Sequence, residues 1–66
     1  MGNIRLRLRK IGKTQVWMIL RLMERGLRVQ TSEFSYILSG VISTPKAEKV
    51  LKACDEILKE VERNES

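Results

Sequence analysis

Along residues 45–62, apolar side chains fall at Ala47, Val50, Leu51, Cys54, Ile57, Leu58 and Val61. That three-and-four spacing makes one face of a helix, and lysine and glutamate fill the other faces. Thr44-Pro45 marks its start, with threonine as the cap and proline at the first helical position. The spacing predicts a helix from Pro45 to about Glu62, with residues 63–66 frayed. Upstream, Thr14 can cap a segment in which Val16, Ile19, Leu20 and Met23 recur at helical spacing. Met18 and Leu22 widen that stripe until the helix is apolar over most of its circumference, so several elements are expected to cover it. Trp17 belongs in that core or at its rim, and Gly26 stops the helix just past Arg25. A shorter element follows in QTSEFSYILSG, started by Gln30 or Thr31, with Phe34, Ile37 and Leu38 on one face and Gly40 at its end. Its other face carries Thr31, Ser32, Glu33, Ser35 and Tyr36.

The opening stretch NIRLRLRKIGKT is the ambiguous one. Its strict alternation of apolar and arginine positions fits a strand with one basic face. Read as a helix, it puts Ile4, Leu8 and Ile11 on one face with Leu6 at the edge. Arg5 and Arg9 then line a second face, and Arg7 and Lys10 turn toward solvent. A lone strand in an otherwise helical chain has no neighbour to pair with, so a helix ending at Gly12 is expected. The expected architecture is all-α: a single four-helix domain over residues 1–66, with helices at about 3–11, 14–25, 31–39 and 45–62.

With 66 residues, the chain is near the lower limit for a domain that folds on its own core, and a dimer or a bound partner would help to stabilise it. Its net charge of +5 is unevenly distributed. Residues 1–30 hold Arg5, Arg7, Arg9, Lys10, Lys13, Arg21, Arg25 and Arg28 against Glu24 alone, whereas residues 31–66 are net acidic. Such polarity suggests a polyanion approached by the N-terminal half, although a solvated helix surface looks the same in sequence. One cysteine and no histidine leave no internal disulfide and no zinc-type ligand set, so neither metal nor cofactor is expected. Cys54 reads as a small buried apolar residue. Glu48, Asp55, Glu56, Glu60 and Glu62 stand beside lysines at helical spacing, the usual surface pairing, and nothing places a nucleophile beside a base; an enzyme is not expected. No apolar run approaches a membrane span, and arginines interrupt the first apolar residues. The expectation is a soluble, cytoplasmic protein with no membrane partner.

The run GKTQ at 12–15, the turn GLRV at 26–29 and the segment SEFSYILSG at 32–40 followed by Pro45 resemble the Cro/CI-type, lambda-repressor-like family of helix-turn-helix proteins. In that family a Gly-x-Thr-Gln start opens the second helix, and a Ser-x-Ile-Asn-Gly-like ending closes the third. The likeness covers residues 4 to about 58 and is nearest to small phage, mobile-element and bacterial regulators. It departs from the family in three respects. The second helix is about one turn longer, the third carries no outward arginine, lysine or asparagine, and Val41 and Ile42 stand where basic residues are common.

The resemblance implies a sequence-specific DNA-binding regulator, a repressor above all, that places residues 31–39 in the major groove of an operator. Gln15 would bond a phosphate and brace the third helix, with Lys13 and Thr14 beside the same phosphates. Thr31, Ser32, Glu33, Ser35 and Tyr36 would face the groove. Of these, Glu33 would accept from a cytosine amino group, Thr31 or Ser32 would read hydrogen bonds or a thymine methyl, and Tyr36 would reach a phosphate. Arg5, Arg9, Lys10, Lys13 and Arg28 would neutralise phosphates. Val41 and Ile42 either fold back onto the core or join a homodimer contact that matches two half-sites of double-stranded DNA. The competing reading is a protein-interaction module on the same scaffold, such as an antirepressor, an antitoxin-like partner or a recombination accessory factor.

Overall fold

Four side-chain caps and three glycines divide the chain into its elements. In a computed structural model that describes residues 3–65, the Asn3 side-chain oxygen accepts from the Leu6 N–H at 3.2 Å and opens α1, Ile4–Lys10. Thr14 Oγ1 accepts from the Trp17 N–H at 3.1 Å to open α2, Gln15–Glu24. Gln30 precedes α3, Thr31–Leu38, with its N–H donated to the Glu33 carboxylate at 3.4 Å. Thr44 Oγ1 accepts from the Ala47 N–H at 3.1 Å and opens α4, Pro45–Glu65. Each cap satisfies a backbone donor that the first helical turn leaves unpaired. Helices α1, α2 and α3 end alike. After α3, for example, the Val41 N–H bonds the Tyr36 carbonyl at 3.0 Å and Gly40 takes a φ of +80°, a region that a Cβ would disfavour.

Every regular element among the described residues is thus a helix, and the arginine-rich opening is a helix rather than a strand. α4 packs against the other three helices, and α2 packs against α3. At about 1.5 Å per residue, the 21 residues of α4 span most of the molecule's 33 Å long axis. The core is built from Phe34, Met18, Leu22, Ile37, Leu58, Val50 and Cys54, all sealed from solvent, with Ile4 and Leu8 of α1 and Val29 of the α2–α3 loop packed around them. No helix among the described residues is long and apolar enough to cross a membrane.

Three expectations need correction. First, α2 buries Met18, Ile19 and Leu22, while Val16, Leu20 and Met23 stand about half exposed. A helix apolar around most of its girth can present either stripe, and packing on α3 and α4 selects the one centred on Met18 and Leu22. Second, α4 continues to Glu65 rather than fraying after Glu62, and residue 66 lies outside the described residues. Its final turns are held because Glu62 accepts two hydrogen bonds from Arg7. Third, Arg7 does not point to solvent. It lies half-buried against α4, where two carboxylates draw it in.

Candidate functional site

The polar side of α3 divides into two sets. Thr31, Ser32 and Tyr36 are exposed, and among the described residues no side-chain hydrogen bond engages them. Glu33 and Ser35 are partly buried and already engaged. Besides accepting from the Gln30 N–H, the Glu33 carboxylate meets Lys46 Nζ with both oxygens at 3.3 Å, tying the start of α3 to the first turn of α4. Ser35 turns toward α1. Arg5 Nη2 donates to the Ser35 carbonyl, to Ser35 Oγ and to Ser39 Oγ, each at 3.1 Å. Ser39 Oγ also donates to the Ser35 carbonyl at 3.0 Å. The Arg5 guanidinium therefore sits at the C-terminal end of α3, where a cation complements the unpaired carbonyls and the helix dipole. Its oxygen partners among the described residues are all neutral, and no carboxylate there pairs with it.

The cations of residues 3–30 fall into two classes. Arg7, Arg21 and Arg25 hold carboxylates: Arg7 with Asp55 and Glu62, Arg21 with Glu24 at 3.1 Å, and Arg25 with Glu56 at 2.9 Å. Arg5, Arg9, Lys10, Lys13 and Arg28 form no ion pair among the described residues, and all five are exposed. Arg9 lines the same cleft as Arg5, a hollow of about 460 Å³ between α1, the end of α3 and α4. Arg28 lines a second hollow of about 410 Å³ with Met23, Gln30 and Lys46 at the start of α3. Lys13 lies 5.6 Å from the centre of the half-buried Trp17 ring, and the Arg21 guanidinium lies 5.5 Å from it, both within cation–π range.

Thr14 is exposed, and its hydroxyl oxygen serves as the α2 cap, which leaves its proton free to donate; Gln15 is half-buried at the first position of α2. In the loop after α3, Val41 is 71% exposed, whereas Ile42 is half-buried and packs on the core. Burial pushes the Cys54 thiol up to about 12, which removes its nucleophilic form near neutral pH. No group of three His, Cys, Asp or Glu side chains among the described residues is arranged to hold a metal ion.

Sequence reasoning missed the Arg5 brace, the Lys46–Glu33 pair and the Arg7 clamp. The first had a local signal, since Ser35 and Ser39 are four residues apart on the α3 edge that faces the basic stripe of α1. All three nonetheless join separate elements, across 30, 13 and 48 residues of sequence for Arg5–Ser35, Lys46–Glu33 and Arg7–Asp55. Compared with protein-family models, curated proteins and solved structures, the chain matches none.

Proposed function

We propose that this protein is a sequence-specific DNA-binding transcriptional regulator, acting as a repressor by occupying an operator, with α2 and α3 as a helix-turn-helix of the Cro/CI type. The observation that carries the reading is the sorting of charge. Arg5, Arg9, Lys10, Lys13 and Arg28 form no ion pair among the described residues, while the other cations of the N-terminal half hold carboxylates. Unpaired surface cations release counterions from a phosphate backbone at no expense of intramolecular pairs. Arg5 binds directly to α3, so one of these charges stands beside the element proposed to enter the groove.

In this mechanism Thr31 and Ser32, at the exposed start of α3, meet base edges, and Tyr36 one turn later reaches the sugar-phosphate rim. Glu33 and Ser35 support the helix from within: Glu33 fixes its start against Lys46, and Ser35 anchors its end to Arg5. Two short hydroxyl side chains read few bases directly, so phosphate contacts and DNA shape carry much of the preference. The protein binds as a homodimer on two half-sites about one helical turn apart, with exposed Val41 rather than Ile42 available to the contact between copies.

Selection from a pool of random duplexes tests this reading. A recovered motif with two related half-sites is the expected result. Recovery of duplexes without any shared sequence would remove the regulator reading and leave a nonspecific polyanion binder.

A further inference from the structure

Six large hydrophobic side chains are exposed among the described residues, and three of them, Val16, Leu20 and Met23, share one face of α2. They are 56%, 51% and 50% exposed and occupy positions i, i+4 and i+7, a continuous stripe of two turns. Isolated exposed apolar residues are ordinary on a protein surface; a helical stripe in register is a recognition pattern. Beyond Met23 the stripe opens into the hollow of about 410 Å³ lined by Met23, Arg28, Val29, Gln30, Glu33 and Lys46, in which Glu33 and Lys46 pair with one another. That hollow has room for one further apolar side chain. With Glu24 paired to Arg21 and Glu33 to Lys46, the charges left unpaired at the two ends of the stripe are cationic. Lys13 stands one turn before Val16 and Arg28 borders the hollow, and neither forms an ion pair within the described protein.

We infer that the outer face of α2 is the docking site for an acidic amphipathic helix of a partner protein. The partner lays an i, i+3 or i+4, i+7 apolar stripe along Val16, Leu20 and Met23, seats one anchor in the hollow, and sets carboxylates against Lys13 and Arg28. A second copy of this chain does not fit. An antiparallel two-fold pairing through Leu20 brings Lys13 of each copy toward the Arg25–Arg28 end of the other. A parallel pairing brings Lys13 to Lys13, and each copy carries a net +5. The chain's own acid-bearing helix, α4, uses its apolar stripe in the core. Because Lys13 and Arg28 are two of the five cations proposed to meet phosphates, docking and DNA binding exclude one another. That consequence rests on the proposed function; the docking itself does not, and its test contains no DNA.

The test is a displayed library of 18-residue helices with apolar residues fixed at i, i+4 and i+7 and with randomised flanks. It is selected on the full chain and counter-selected on Leu20→Lys, whose exposed position should leave the fold intact, as an unchanged circular-dichroism melt would verify. The expected outcome is enrichment of Asp and Glu at the flanks. The consensus peptide then binds the wild type and loses about tenfold or more in affinity, the size of an interface hot spot, on Leu20→Lys. A Lys13→Glu/Arg28→Glu variant loses a similar factor and regains it with a peptide of reversed flank charge. The proposal is overturned if no clone distinguishes the wild type from Leu20→Lys, or if the enriched flanks are neutral or basic. It is equally overturned if sedimentation finds a dimer that Leu20→Lys dissolves, or if anionic phosphatidylserine vesicles, and not peptides, bind in a Leu20-dependent way.

Discussion

Arg7 Nη1 lies 2.7 Å from Asp55 Oδ1, joining α1 to α4 across 48 residues of sequence. The same guanidinium donates through Nε and Nη2 to the two oxygens of Glu62, both at 3.1 Å. One planar fork thus holds two carboxylates spaced two turns apart, a geometry that a lysine could not reproduce. Lys59 Nζ meets the second oxygen of Asp55 at 3.1 Å, extending the pair into a network. α1 has only seven residues and is too short to be stable alone, so tertiary contacts decide whether it forms.

This clamp predicts an acid-sensitive docking of α1. The hydrogen bond from Arg7, followed by that from Lys59, holds the Asp55 carboxyl below its usual range, and the bond from Arg7 does the same for Glu62. Carboxylates with depressed folded values contribute stability above their unfolded values near pH 4, and lose it as pH falls through the folded values. Arg7→Met is expected to lower the thermal midpoint at pH 7 by roughly 5 °C. The gap from the wild type should narrow as pH falls below about 4, as melts across the acid range would show. A constant gap down to pH 2 would mean that Arg7 acts through packing alone.

Glu33 and Ser32 are neighbours with opposite expected behaviour. Glu33→Ala removes the carboxylate at the start of α3 and the partner of Lys46, so it should cost about 1 kcal/mol of stability. Ser32→Ala touches no internal partner, so it should leave the melt unchanged. In the proposed complex it shifts base preference at one position by about 1 kcal/mol. Urea denaturation together with binding to single-base operator variants separates the two effects.

Phe34 is the largest of the sealed core side chains, and it anchors α3 against the rest of the molecule. Phe34→Ala should cost about 3–5 kcal/mol, a large share of the roughly 3–10 kcal/mol typical for a domain of this length. The variant is expected to be largely unfolded at 37 °C by circular dichroism. Tyr36→Ala, two residues away but exposed, should stay within about 0.5 kcal/mol of the wild type.

The sequence resolved some elements of the fold far better than others. α4 was legible because its stripe is narrow: Ala47, Val50, Cys54, Ile57 and Leu58 have lysines and glutamates on either side, so only one face can turn inward. α2 was legible as a helix but not in its rotation, since Val16, Leu20 and Met23 are as apolar as the residues that it buries. α1 was open between strand and helix because a period of two places Ile4 and Leu8 equally well in both; the missing clue was Asn3 as a cap. At the candidate site, the exposure of Ser32 and Tyr36 follows from their positions opposite Phe34 and Ile37, and that of Thr31 from its place at the first position of α3. The engagement of Glu33 and Ser35 does not, because Lys46 and Arg5 reach them from other helices. Asp55 and Glu62 edge the apolar stripe of α4, as Arg7 edges that of α1, yet only the packing of the two helices brings these edges together.

The salt dependence of duplex binding probes the proposed phosphate contacts of Arg5, Arg9, Lys10, Lys13 and Arg28 most directly. Fluorescence anisotropy on a labelled duplex should give a plot of log affinity against log salt with a slope of roughly −4.5 per bound chain, about −0.9 for each phosphate neutralised. Arg9→Ala should reduce that slope by about 1 while leaving the melt unchanged. A slope near zero, or no binding at about 50 mM salt, where phosphate contacts are strongest, would contradict the assignment of these cations to DNA.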